Sequence, residues 1–359
     1  MPAGRDLSGV MAGGGYYNQH SLPQHAASAT GLRFLIEAAT EAPLPARGEP
    51  LVIADFGVAQ GRNSMAPMAA AISALRARRT GGLPIEIVHT DIAGNDFSSL
   101  FRLLASGAGS YLEGVDDVYA YAAGRSFYER LFPSARLTLG WSSIAVHWLS
   151  HVPSAIPGQI WSPRATGDAA AAFAAQSARD WEMFLGHRSV ELRPGASLVV
   201  IAGASDPGGD SGADGLMEMT AVSLRELVTT GLLRAHELAG MVIPTWNRTP
   251  KEFLAPFGTT AAAGLQLVAH ELSLVPDPFW PAYVESGESS PFALAWSEFV
   301  LAAFGPSLWA SLDADRTAED RETISAALGT ELTRHILADP EAATTAWRVF
   351  TMRIVKPAA

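Results

Sequence analysis

The stretch LVIADFGVAQGRNSMAPMAAAISALRARR (51–79) decides the fold. Its first seven residues are a continuous apolar run of strand length. Its middle is a turn with Gly57 and Gly61, and its end is an alanine-rich, basic-tailed helix pattern that stops at Gly81-Gly82. A buried strand leading through a small-residue turn into a helix is the repeating unit of a parallel sheet covered on both faces. The unit recurs along the chain. IEIVHTD (85–91), DVYAYAAG (117–124), ARLTLGW (135–141) and SLVVIAG (197–203) read as strands, with DFSSLFRLLAS (96–106) and residues 168–192 as helices between them. LQLVAHELSLV (265–275) and WRVFTMRIVKP (347–357) read as closing strands. MEMTAVSLRELVTTGLL (217–233) and PFALAWSEFVLAAF (291–304) read as helical insertions, and SDPGGDSGADG (205–215) as a mobile polar loop. The class is α/β, doubly wound, whose ligands bind at the carboxyl ends of the strands.

Composition narrows the function. The 359 residues are 48% hydrophobic and only 17% charged, enough to build a large core. A formal net charge of −11 argues against a nucleic acid partner, which would need a basic face. Cysteine is absent, and no HExxH or clustered His-carboxylate set is visible, so neither a disulfide nor a metal is expected. The first residues lack the apolar core of a signal peptide. There is no run of eighteen apolar residues either, so no membrane span and a cytoplasmic location are the expectation.

Two places carry chemistry. In IADFGVAQGRNS (53–64), Asp55 and Gly57 end the first strand, and Gly61 and Asn63 follow in the turn, where a ligand could approach a helix N-terminus. GxGxxG is missing, which disfavours a nicotinamide oxidoreductase. Asp91 ends the second strand, where an acidic side chain suits a ribose diol. A nucleoside ligand without pyrophosphate contacts fits both observations, and S-adenosylmethionine (SAM) is such a ligand. The second place is GWSSIAVHWLSHVP (140–153), where Trp141, His147 and Trp148 either fill a core or line a pocket.

The segments YNQHSLPQ (17–24), DFGVAQGRNS (55–64), DIAGNDFSSLF (91–101), GRSFYERLFP (124–133), SSIAVHWLSHVP (142–153) and QSARDWEMFLGHRSVELRPGASLVV (176–200) stand in the order of one family. Over roughly residues 11–275 the chain resembles the SABATH carboxyl methyltransferases. Among bacterial relatives it looks most like the mycobacterial-type fatty acid O-methyltransferases. The resemblance implies a Rossmann-like class I methyltransferase sheet with an α-helical cap. Residues 1–154, 180–204 and 262–359 would form the SAM-binding core, and 155–179, 205–261 and part of 278–340 the cap over the substrate.

The resemblance also implies roles. Ser21, Asp55 and Asn63 would hold the methionine end of the cofactor, Asp91 and Ile92 its ribose and adenine, and Ser126 and Phe127 the adenine side. Gln24 and Trp148 would grip the substrate carboxylate as the catalytic pair, with His147 and Ile144 in the substrate pocket. The chain departs from the family at His20, at Val58-Ala59-Gln60, at Ala12 and at Ile144, where the family usually carries Tyr. An aliphatic side chain at 144 points to a fatty acid acceptor. Methylation of a small aromatic acid, and a catalytically inactive SAM-binding protein, are the alternatives. The expected partners are a small carboxylic acid and, as is common among plant relatives, a second copy in a homodimer.

The reaction suits these residue types. A carboxylic acid with a pKa of about 4–5 is already ionised at neutral pH, so no general base is needed. Neutral donors such as the Gln24 amide and the Trp148 indole can orient one oxygen without neutralising the nucleophile. Met217, Met219, Trp246, Phe253, Phe292, Trp296, Phe299 and Phe304 are expected to supply the apolar remainder of the pocket.

Overall fold

The computed structural model describes residues 9–46, 48–78, 83–107 and 109–358, so the helix end expected at Gly81-Gly82 lies outside the described residues. All seven expected strands form: β1 (Leu51–Phe56), β2 (Ile85–Asp91), β3 (Val118–Gly124), β4 (Leu137–Ser143), β5 (Leu192–Gly203), β6 (Gln266–Pro276) and β7 (Ala346–Val355). They make one sheet in the order β3-β2-β1-β4-β5-β7-β6. The first five are parallel, and β7 runs antiparallel to both β5 and β6. Every residue of β1 is buried, Asp55 included, as a strand covered on both faces requires. Along the chain the sheet grows from β1 to β2 and β3 on one side and from β4 to β5 on the other. The crevice at the carboxyl ends of β1 and β4 is therefore the topological switch point.

The expected helices are present at Arg62–Arg78, Phe97–Ala105, Gly167–Glu191, Asp214–Thr229 and Ser289–Trp309. One sheet face is covered by Leu32–Glu41, Arg62–Arg78 and Phe97–Ala105, through Phe34, Leu35, Met68, Leu75 and Leu100. The other is covered by Gly167–Glu191 through Trp181, Phe184 and Leu185. A further apolar core lies among Asp214–Thr229, Ser289–Trp309 and Ala318–Ala338, with Trp296, Phe299, Leu328 and Leu332 inside it. Ser289–Trp309 is long and apolar enough to cross a membrane, but 67% of that window is buried within the protein, which marks a core helix.

The turn after β1 depends on glycine. Gly57 has φ +85°, and a Cβ there would lie 2.3 Å from the Ala145 Cβ, so the backbone passes too closely for any side chain. The polar loop 205–215 is pinned, contrary to expectation. Arg348 on β7 pairs with Asp206 at 3.2 Å and Asp210 at 2.6 Å. The Asp206 carboxylate also caps the Gly208 and Asp210 amides, an organisation that glycine and serine content alone does not reveal.

Candidate active site

Two adjoining cavities open at the switch point. The first, of about 790 Å³, is lined by Gly57, Asn63, Asp91, Ile92, Ser126 and Phe127 among others. The second, of about 590 Å³, lies towards the helical core, with His147, Trp161, Phe299, Phe304 and Trp347 in its wall. Met11, Tyr17, Gln24, Ile144 and Trp148 line both, so they stand at the junction.

In the first cavity Asp91 is the central polar group. Its Oδ2 accepts the Ala59 N–H at 2.7 Å and its Oδ1 the Ile92 N–H at 2.8 Å. A carboxylate has about four lone-pair sites, so two remain for a diol. Burial pushes its pKa up to about 6; the two N–H donors pull the other way, and the nearby Asp55 adds a smaller push upward. This buried acceptor at the end of β2 fits a ribose, and the close Gly57 backbone fits a ligand lying on the turn. Ser126 and Phe127 are held from below. The fully buried Arg188 donates to the Phe127 and Glu129 carbonyls at 2.8 and 2.9 Å, pairs with Glu191, and lies 4.4 Å over the Phe56 ring.

Ser21 and Asp55 are buried but line neither cavity. Asp55 turns into the sheet, where its Oδ2 lies 3.1 Å from Nδ1 of His89, its neighbour across the β1–β2 register. His89 Nε2 in turn lies 2.8 Å from the Tyr111 hydroxyl. Ser21 accepts a hydrogen bond from Asn63 Nδ2 at 3.2 Å. Ser21 therefore reaches the first cavity through Asn63, whereas the Asp55 side chain is engaged with His89 and, through it, Tyr111, which line neither cavity. The departure at Gln60 also has a structural use: its buried amide donates to the Ala12 carbonyl and accepts from the Asn18 N–H, tying the segment that carries Met11 and Tyr17 over the cavity.

At the junction, Ile144 has φ +53°, a conformation that costs a β-branched residue of order 1–3 kcal/mol. The loop after it is fixed from outside. Tyr128 donates to the Trp148 carbonyl at 2.6 Å, Arg248 donates to the Val146 carbonyl at 2.7 Å, and Asp180 accepts the Ser150 N–H at 2.8 Å. Nothing in the sequence singles out Tyr128, Arg248 and Asp180, because each acts on backbone groups of a segment far away in the chain. His147 Nδ1 accepts the Gly203 N–H at 3.3 Å. Burial, and next the Arg248 guanidinium, push its pKa down to about 3, so it is a neutral Nε2–H imidazole and titrates at no physiological pH.

Of the apolar pocket residues expected from sequence, Phe299 and Phe304 line the second cavity. Trp296 does not: it is fully buried in the helical core, where its indole donates to Asp277 Oδ2 at 3.0 Å. Trp246 stacks on Phe173 and Phe253 on Phe350, away from both cavities. Trp141 is core, fully buried beneath the sheet helices.

A family model described as SAM dependent carboxyl methyltransferase matches residues 9–256. Gibberellic acid methyltransferase 2 of Arabidopsis thaliana is 31% identical over 232 residues, covering 57% of this chain and 59% of that protein. Methyltransferase LUC1 of Fusarium sp is 30% identical over 247 residues, covering 67% and 64%. The match therefore spans less than two thirds of the length of either curated relative. A solved structure, loganic acid methyltransferase with SAH, is similar with a TM-score of 0.78 at 22% identity, over 97% of this chain and 99% of that one. At that identity the likeness speaks for the fold.

Proposed function

The chain belongs to the SAM-dependent carboxyl methyltransferases, and from that premise we propose that it esterifies the free carboxylate of a small organic acid. The carrying observation is the junction. Gln24 and Trp148 line both cavities, so a carboxylate in reach of the amide and the indole N–H also faces the cofactor side. When bound, SAM supplies an electrophilic methyl group on a sulfonium; the carboxylate oxygen takes it, the electron pair of the broken C–S bond stays on sulfur, and no proton moves. His147, in the adjoining cavity wall, is not needed as a base: its basicity is lowered by burial and its Nδ1 lone pair already accepts the Gly203 N–H.

The protein's part is alignment. Asp91 and the Gly57 turn locate the cofactor, Gln24 and Trp148 locate the oxygen, and Phe299 and Phe304 keep the acceptor side dry. Proximity of this kind can contribute up to roughly 7–11 kcal/mol. Residues 1–154, 180–204 and 262–359 would serve the cofactor, and the helical cap, residues 155–179, 205–261 and part of 278–340, would close the acceptor cavity. The acceptor body is apolar over much of its surface, and a fatty acid, the expectation from Ile144, is one end of that class.

The test is transfer of label from SAM to a panel holding saturated fatty acids of increasing length, benzoic acid and salicylic acid. Ester formation that falls at least about tenfold in Gln24→Leu and in Trp148→Phe, with S-adenosylhomocysteine binding retained, supports the reading. Binding of S-adenosylhomocysteine with no transfer to any acid overturns it in favour of a cofactor-binding protein or another acceptor.

A further inference from the structure

We propose that the acceptor cavity carries a second recognition site, for a neutral oxygen function, carbonyl or hydroxyl, on the acid away from the methylated carboxylate. This rests on the carboxyl methyltransferase reading and restricts its substrate class. Besides Gln24 Oε1 at the junction, four side chains in the wall of the second cavity carry a buried polar atom with no partner: Trp161 Nε1, Trp347 Nε1, Asn247 Nδ2 and Thr245 Oγ1. None of the four lines the first cavity. Three of these atoms are obligate donors, and the threonine hydroxyl can donate.

Folded proteins leave few buried polar atoms unpaired, so several around one cavity need a cause. Three other indoles find partners: Trp181 donates to the Phe253 carbonyl, Trp246 to Glu252 and Trp296 to Asp277, each at 3.0 Å. At Trp161 and Trp347 the fold supplies no acceptor. A ligand oxygen would.

The indoles of Trp161 and Trp347 are separate from the grip, whereas Thr245 pairs with Trp148 in an isolated β-bridge. Phe304 packs against both Trp148 and Trp161, with ring centroids at 6.0 Å and 6.2 Å, and Trp347 meets Trp161 edge-on at 6.3 Å. An oxygen matched to the indoles is thus separated from the carboxylate by the body of the acid. Charge sets its type. Arg348 also lines the cavity, but Asp206 and Asp210 already neutralise it, and His147 is a neutral imidazole. The donors are uncharged and can meet a carbonyl or hydroxyl without burying a further charge, whereas a second carboxylate would add one to that already held by Gln24 and Trp148. A saturated fatty acid would leave every one of the donors unpaired.

The experiment compares acids in matched pairs on the full-length protein: octanoic with 8-hydroxyoctanoic acid, cyclohexanecarboxylic with 4-oxocyclohexanecarboxylic acid, and benzoic with 4-hydroxybenzoic acid. The expected result is that, in at least one pair, the oxygenated member has a kcat/KM more than about tenfold higher, equivalent to about 1.4 kcal/mol. Asn247→Leu and Trp347→Phe, each checked for S-adenosylhomocysteine binding, should shrink that ratio to within about threefold, chiefly through KM of the oxygenated acid. Equal or better turnover of the unsubstituted member in every pair overturns the inference and leaves carboxyl methylation standing. A preference that persists in both variants also overturns it, because other groups then read the oxygen. Transfer to no acid, with S-adenosylhomocysteine bound, removes the premise and the inference together.

Discussion

Cofactor affinity should fall as the solution is acidified through pH 6, and Asp91 is the reason. Its carboxylate is buried, already accepts two backbone N–H groups, and has its pKa pushed up to about 6, chiefly by burial. Only the ionised form offers a diol two free acceptor sites, so bound ribose hydroxyls must pull the pKa back down. The sign follows: affinity is level above pH 6 and declines below it. At pH 5 about one molecule in eleven would have Asp91 ionised, so Kd rises roughly tenfold, about 1.4 kcal/mol. Stability at this group moves the other way. A carboxylate whose pKa is raised in the folded state stabilises the fold at low pH and loses that contribution as pH climbs through about 6, so weak binding at pH 5 is not unfolding caused by Asp91.

The assay is calorimetric titration of S-adenosylhomocysteine between pH 5 and 7, without acceptor so that the acid's own carboxyl does not contribute. At pH 6 binding should release about half a proton, read from the dependence of the heat on buffer ionisation. The neighbouring Tyr17 phenol is pushed well above its usual range by burial and stays neutral, and His147 is neutral throughout. In Asp91→Asn the slope should vanish, and affinity at pH 7 should drop by about 1.5–3 kcal/mol, the range for a charge-assisted hydrogen bond. A Kd that varies less than twofold between pH 5 and 7, or an Asn variant that keeps the slope, would refute the assignment of Asp91 to the diol.

Gln24→Glu sets a second carboxylate against the acceptor's, so kcat/KM for any acid should fall at least about 100-fold while S-adenosylhomocysteine binding changes little; labelled-methyl transfer reads the first and calorimetry the second. Trp296→Ala should lower unfolding stability by about 3–5 kcal/mol in urea titrations and leave the ranking of acceptor acids unchanged, because the indole belongs to the helical core. Gly57→Ala forces a Cβ onto Ala145 at a left-handed backbone position; a stability loss of about 1–3 kcal/mol and weaker cofactor binding are expected, measured by thermal shift with and without S-adenosylhomocysteine.

The central strands were legible because a parallel strand covered on both faces leaves a nearly continuous apolar run such as LVIADF, fully buried in β1. The strand β3, at the sheet edge, is largely exposed and showed itself by its alternating aromatic and small residues. The antiparallel placement of β7 between β5 and β6 was not legible, because pairing partners are chosen across the sheet and leave no local mark. Some signals were present but unread. Ala318–Ala338 follows a Thr317–Asp320 capping box and buries Ile324, Leu328, Leu332 and Ile336, four apart along one face. Trp296 misled for the opposite reason: an aromatic on a helix is as apt for a core as for a pocket, and only its Asp277 partner tells the two apart. For the site, position at the end of a strand pointed to Asp91, and resemblance supplied the roles of Gln24 and Trp148. The unpaired donors on Trp161, Asn247 and Trp347 could not be read from sequence, since want of a partner is a property of the assembled wall.

The junction also accounts for a residue that local rules disfavour. Isoleucine at φ +53° stores strain in a position where glycine would rest. It persists because the segment is held from several sides: the Ile144 N–H donates to the Ile201 carbonyl at 2.8 Å, and the carbonyls that follow are clamped by Arg248 and Tyr128. With both ends fixed, the backbone has no freedom to relax. The side chain is thereby kept at the boundary of both cavities, beside Trp148. A flexible glycine there would remove the strain and also the wall. A reaction that depends on alignment, without proton transfer, gains from such rigidity, since misplacement of about 1 Å can cost 100-fold in rate. The strain, the buried Arg248 and the glycine at 57 then have one common effect. Each limits how far Gln24 and Trp148 can move relative to the Gly57 turn, as the proposed alignment would require.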